Sequence, residues 1–170
     1  MSVESIALEL KEAESTTPHD QGTSTMHVFA RDDAGIRAGI DARIRAVREK
    51  DVEGLMAHYT ADVATFDMLE PLANIGADAV RKRVTDWFAS FATPIDYEVA
   101  EVTLAVSLDV AFDHHFTRVR GTTKAGNEVD MWFRETIGYR KVNGAWKVAH
   151  QHSSAPLRMP GGTARFDLRP

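Results

Sequence analysis

The chain has 170 residues, 44% of them hydrophobic and 26% charged, enough for one ordinary soluble domain with a sizeable core. A net charge of −5 argues against a nucleic-acid footprint, and no apolar run reaches the roughly 18 residues of a membrane span. Zero cysteines exclude disulfides, thiol nucleophiles and cysteine metal sites; with Glu4, Glu9, Glu12 and Glu14 interrupting any leader, a cytoplasmic protein is the simplest expectation.

Residues 1–30 read as an N-terminal arm. Val3, Ile6, Ala7 and Leu10 have helical spacing, whereas Ser15 to Thr25 is polar, contains proline and glycine, and reads as a linker. The folded domain is expected over 31–156, with a C-terminal tail over 157–170. Ile36, Ile40, Ile44 and Val47 predict a first amphipathic helix, with Arg37, Asp41, Arg45 and Arg48 pointing elsewhere. After the Lys50-Asp51 break, Leu55, Met56 and Tyr59 predict a second, short helix. Ala64 to Asp67 suggests a short strand, and Pro71 and Gly76 mark a loop. Ala77, Val80, Val84, Trp87, Phe88 and Phe91 form the strongest helical stripe in the chain.

Beyond Pro94 the hydrophobic period changes to two. Val102, Leu104, Val106 and Leu108 alternate with small polar residues, which predicts a half-buried strand. Strands over 110–122, 128–142 and 145–153 follow, the last two joined by Asn143-Gly144, a strong hairpin signal. Helices first and long antiparallel strands afterwards give an α+β domain, with the helices on one face of a curved sheet.

Continuous alternation in the last strand puts Trp146, Val148, His150, His152 and Ser154 on one side. A core face that ends in two imidazoles and a hydroxyl reads as the wall of a pocket for a small molecule. His150 and His152 are candidate general acids or bases; the plain alternative is a pair of hydrogen-bonded wall residues without chemistry. In the strand over 128–142, Trp132, Arg134 and Thr136 share one face and Met131, Phe133, Ile137 and Tyr139 the other. Apolar bulk on both faces leaves the inner one open and suggests a second covering layer, most simply a dimer partner. His114 shares a face with Phe112 and Phe116 and is a better pocket candidate than its neighbour His115. A metal set of His150, His152, His114 and Asp67 is conceivable but has no supporting motif, so no metal and no cofactor are expected. Trp87, Trp132 and Tyr59 read as core more readily than as a substrate platform.

Several segments together resemble the SnoaL-like and ketosteroid-isomerase-like branch of the nuclear transport factor 2-like superfamily. They are Arg48-Glu49-Lys50-Asp51-Val52, Tyr59 to Asp67, Gly76-Ala77-Asp78-Ala79-Val80-Arg81, and Gly138–Gly144 followed by Trp146 to Ser154, within residues 33–156. The resemblance implies a cone-shaped, strongly curved antiparallel sheet wrapped by three N-terminal helices, and a homodimer formed through the outer sheet face. It places Asp67 inside the cone, as a base or as an orienter of the histidines, against the alternative of a loop carboxylate before Pro71. It also favours an inward Arg134. The isomerase pattern does not carry over: its base falls at Met68 and its oxyanion-hole tyrosine near Arg43, which cannot act as a phenol. The SnoaL-type cyclase aspartate is also replaced by histidines.

The resulting site has Asp67, His150 and His152 as catalytic candidates and Arg134, Thr136, His114, Ser154, Tyr59 and Trp87 as substrate-binding ones. The expected function is small-molecule binding, with cofactor-independent acid–base chemistry on a partly apolar substrate as its enzymatic form. The alternative is a non-catalytic ligand-binding or dimerisation module.

Overall fold

A computed structural model describes residues 21–170, with side chains from Ala30 onward. Helix α1 spans Gln21–Glu49 and α2 Val52–Met56; strand β1 spans Tyr59–Phe66 and β2 Asn74–Ile75; helix α3 spans Ala77–Ser90. Strands β3 (Asp96–Val106), β4 (Val110–Thr122), β5 (Glu128–Val142) and β6 (Ala145–Ser154) form the long meander, and β7 (Leu157–Arg158) and β8 (Thr163–Ala164) a small terminal pair. The predicted α+β class, with three helices ahead of the meander, is the architecture observed.

The main sheet has the order β2-β1-β6-β5-β4-β3. It is mixed, because β1 runs parallel to β6 while the other pairs are antiparallel. Ile36, Ile40, Val47, Val80, Val84 and Phe88 from the helices pack onto Val63, Val119, Ile137 and Val148 from one face of the sheet. Local chemistry sets the joints. Asp51 caps α2 by accepting from the Gly54 N–H at 2.9 Å. Asn143 and Gly144 take positive φ values of 50° and 79°, as the two-residue hairpin between β5 and β6 requires.

Two irregularities bend the sheet and decide which side chains face inward. Around Glu101, which has φ 57°, the register between β3 and β4 slips between Ala100 and Thr103. In β6, Gly138 pairs with His150 but Tyr139 with Val148, so Ala149 is an extra residue. Before this bulge Trp146 and Val148 point to the core, and after it Gln151 and Ser153 do.

Three expectations are corrected. Helix α1 begins at Gln21, inside the stretch read as linker; the rest of that stretch and the helix expected near Val3–Leu10 lie outside the described residues. Tyr59 opens β1 rather than closing α2. The residues after 156 dock on the domain: β7 pairs with β8, and the Phe166 carbonyl accepts from the Trp132 N–H at 3.0 Å. Among the described residues no helix is long and apolar enough to cross a membrane.

Candidate functional site

Between the helices and the sheet lies a cavity of about 230 Å³. Its walls are apolar: Ile40, Ile44 and Val47 of α1, Val80, Val84 and Trp87 of α3, and Val99, Val119, Met131 and Phe133 of the sheet. Its floor is polar and ionisable, made of Arg43, Tyr59, Tyr97, His115, Glu135, Gln151 and Ser153.

Glu135 is the hub of that floor and is 2% exposed. Its Oε2 accepts from the Thr117 hydroxyl at 2.7 Å and the Tyr97 hydroxyl at 3.1 Å, and His115 Nε2 stands 3.3 Å away. Its Oε1 accepts from the Gln151 amide at 2.6 Å and the Ser153 hydroxyl at 3.0 Å. His115 Nδ1 lies 2.6 Å from Asp113 Oδ1, and Tyr139 donates to Asp113 Oδ2 at 2.5 Å. Tyr59 donates to Gln151 Oε1 at 2.7 Å. The alternation of β4 explains the alignment, since Asp113, His115 and Thr117 are every second residue and all face inward.

This network sets the charges. Burial alone would push the Glu135 carboxyl up; the hydrogen bond and charge of His115, with Thr117 and Arg43, outweigh it and hold it at about 2. Burial would lower His115, but the Asp113 and Glu135 carboxylates raise it to about 9. The floor therefore holds an imidazolium between two carboxylates near neutral pH. Burial pushes Tyr59, Tyr97 and Tyr139 above the ordinary phenol value, which keeps them as O–H donors.

The predicted site residues divide between the two faces. Tyr59, Trp87 and Asp67 line the cavity. Asp67 sits at the rim, paired with Arg83 at 2.9 Å, and accepts the Leu69 N–H at 3.2 Å, the geometry of a loop carboxylate rather than of an orienter for the histidines. His114, Thr136 and His152 form one cross-strand row on the opposite, outer face, and all three are exposed. Arg134 and Ser154 pair on that same face, with Arg134 exposed. His150 is also outward, its Nδ1 3.0 Å from the Ala64 carbonyl and its ring edge-on to Phe66. The expected histidine wall is thus not part of the cavity, because the Ala149 bulge reverses the parity that continuous alternation assumes. The conceivable metal set is not assembled, and no group of three or more His, Asp or Glu among the described residues is arranged to hold a metal.

Residues that sequence reasoning passed over carry the floor. His115 lost to His114 because Phe112 and Phe116 made the wrong face look like the core. Glu135 was hidden between Arg134 and Thr136. Arg43 had a readable signal: it lies three residues after Ile40 and four before Val47, on the apolar stripe of α1.

The sequence profile of the SnoaL-like domain matches residues 36–158. Among solved structures, an NTF2-like protein of unknown function from Pseudomonas putida KT2440 is 30% identical with a TM-score of 0.76, the match covering 83% of this chain and 98% of that one. A ketosteroid isomerase-like protein from Erwinia carotovora atroseptica SCRI1043 is 28% identical with a TM-score of 0.62, over 71% of this chain and 93% of that one. A putative dehydratase of the NTF2-like family from Streptomyces avermitilis, 18% identical with a TM-score of 0.66 over 76% and 99% of the two chains, shares the fold. Among curated proteins no relative matches the chain. With the domain profile matched over residues 36–158 and the fold shared over most of its length, the chain belongs to the SnoaL-like family of the nuclear transport factor 2-like superfamily.

Proposed function

We propose that this SnoaL-like domain binds a small, mostly apolar organic molecule in its cavity and performs acid–base chemistry on it at the polar floor, without a cofactor. The observation that carries this reading is His115, buried between Asp113 and Glu135 and opening on an apolar cavity. An imidazolium held at both ring nitrogens by carboxylates has a fixed orientation, and its proton reaches a ligand through Glu135 at the cavity floor. Tyr59, bonded to Gln151, orders the same floor, while Trp87 and the Asp67–Arg83 pair meet the ligand at the wall and rim.

One observation favours the non-catalytic reading. Both Glu135 oxygens are already occupied, by the Tyr97, Thr117, Gln151 and Ser153 donors and by His115, as in a network whose task is to shape a binding floor. A thermal-shift screen of small aromatic and alicyclic carboxylates, phenols and ketones, followed by turnover assays on the hits, separates the two. The catalytic reading expects turnover that falls about 100-fold or more in His115→Gln while binding of the hits persists. Hits that bind without turnover in the wild type leave the ligand-binding module.

The outer face of the sheet supports a homodimer. Phe112, Val110 and Phe66 are 51%, 52% and 43% exposed there, apolar side chains that a second copy would cover.

A further inference from the structure

Arg43 is the charge in the cavity that the fold does not pair. It is 8% exposed, it lines the cavity, and its Nε–H has no acceptor among the described residues. None of the ion pairs among the described residues includes it; the Lys and Arg side chains that do pair lie nearer the surface, as in Arg83–Asp67 and Lys141–Asp32. Its guanidinium carbon stands 5.7 Å from the centre of the Tyr59 ring, a weak substitute for an anion. Glu135 acts on it through its field but makes no ion-pair contact with it, its oxygens being held by Tyr97, Thr117, His115, Gln151 and Ser153. Desolvation works against the charge and the Glu135 carboxylate favours it, so Arg43 stays ionised.

A buried guanidinium with no ion-pair partner is costly, and one that lines a ligand-sized cavity gains when an anion binds there. Arginine presents a planar fork of N–H donors that fits the two oxygens of a carboxylate. The rest of the cavity is aliphatic and aromatic, including Val84, Trp87 and Phe133. We propose that the ligand is a small aromatic or alicyclic carboxylic acid, bound as its carboxylate against Arg43 with its ring between α3 and the sheet. The proposal rests on the cavity being the ligand site and adds the chemical class of the ligand.

The test compares benzoate with benzamide, equal in shape but differing in charge, by calorimetric titration of the full chain at pH 7. Benzoate is expected to bind about tenfold or more tightly than benzamide, the step of one charge-assisted hydrogen bond. In Arg43→Met the preference is expected to vanish while benzamide binding persists. Arg43→Lys keeps the charge without the fork and is expected to lose most of the preference; it decides the matter should Arg43→Met fail to fold. Equal affinities in the wild type, or a preference that survives in Arg43→Met, overturn the carboxylate assignment and leave the cavity reading standing. No binding of either probe overturns both.

Discussion

His115 lies between two carboxylates, so folding raises its affinity for a proton. Its value moves from the ordinary 6.5 to about 9, which means the native state binds the proton more tightly than the unfolded chain. The resulting stabilisation is complete below pH 6.5 and is lost as the pH rises through about 9. Glu135 has the opposite sign: held at about 2 against an ordinary 4.5, it stabilises above pH 4.5 and loses that contribution as the pH falls toward 2. Urea midpoints should therefore be highest between about pH 4.5 and 6.5 and decline on both sides. In His115→Gln the decline between pH 6.5 and 9 should flatten. A wild-type midpoint that stays level over that alkaline interval would contradict the imidazolium between Asp113 and Glu135.

The elements show how one extra residue redistributes chemistry. Alternation in β4 and β5 was readable, and the Asn143-Gly144 hairpin fixed their neighbour β6 in the right place. What the residues alone could not reveal was Ala149, since nothing in Val148-Ala149-His150 marks a bulge; its cause is the pairing with Gly138 and Tyr139, distant in sequence. The inner face of β5 is ambiguous in the sequence for a related reason, because Trp132 outside is as apolar as Phe133 inside. Trp132 is buried although it points outward, under the Arg118 guanidinium and beside the returning C-terminal segment. The consequence is testable in two double variants. His150→Ala with His152→Ala, on the outer face, should shift stability by about 0.5 kcal/mol or less per site. Gln151→Ala with Ser153→Ala removes both donors to Glu135 Oε1 and should cost about 2–5 kcal/mol by urea unfolding. The reverse ranking would restore the histidine wall.

At the scale of the molecule, the order of helices and strands was legible because hydrophobic period and turn residues act locally. The site was less legible, because a cavity floor is assembled from six elements, several with an inward parity that depends on bulges. The two faces of the sheet now have separate tasks. The inner one, with Glu135 and His115, lines the cavity proposed to take the ligand; the outer one, with Phe66, Phe112 and the His114–Thr136–His152 row, is proposed to meet a second copy. Sedimentation should then find a dimer that Phe112→Asp converts to a monomer with its thermal unfolding otherwise cooperative. A wild-type monomer at tens of micromolar would remove the dimer, since an interface of standard size holds well below that concentration.

The central claim is that ligand chemistry belongs to the inner face and not to the histidine face. Methyl NMR during titration with benzoate and benzamide tests it most directly. Shifts are predicted at the cavity methyls of Ile40, Val84, Val119 and Met131, with Val110 and Leu108 on the outside unmoved. Shifts that cluster at Val110 and leave the cavity methyls still would contradict the account.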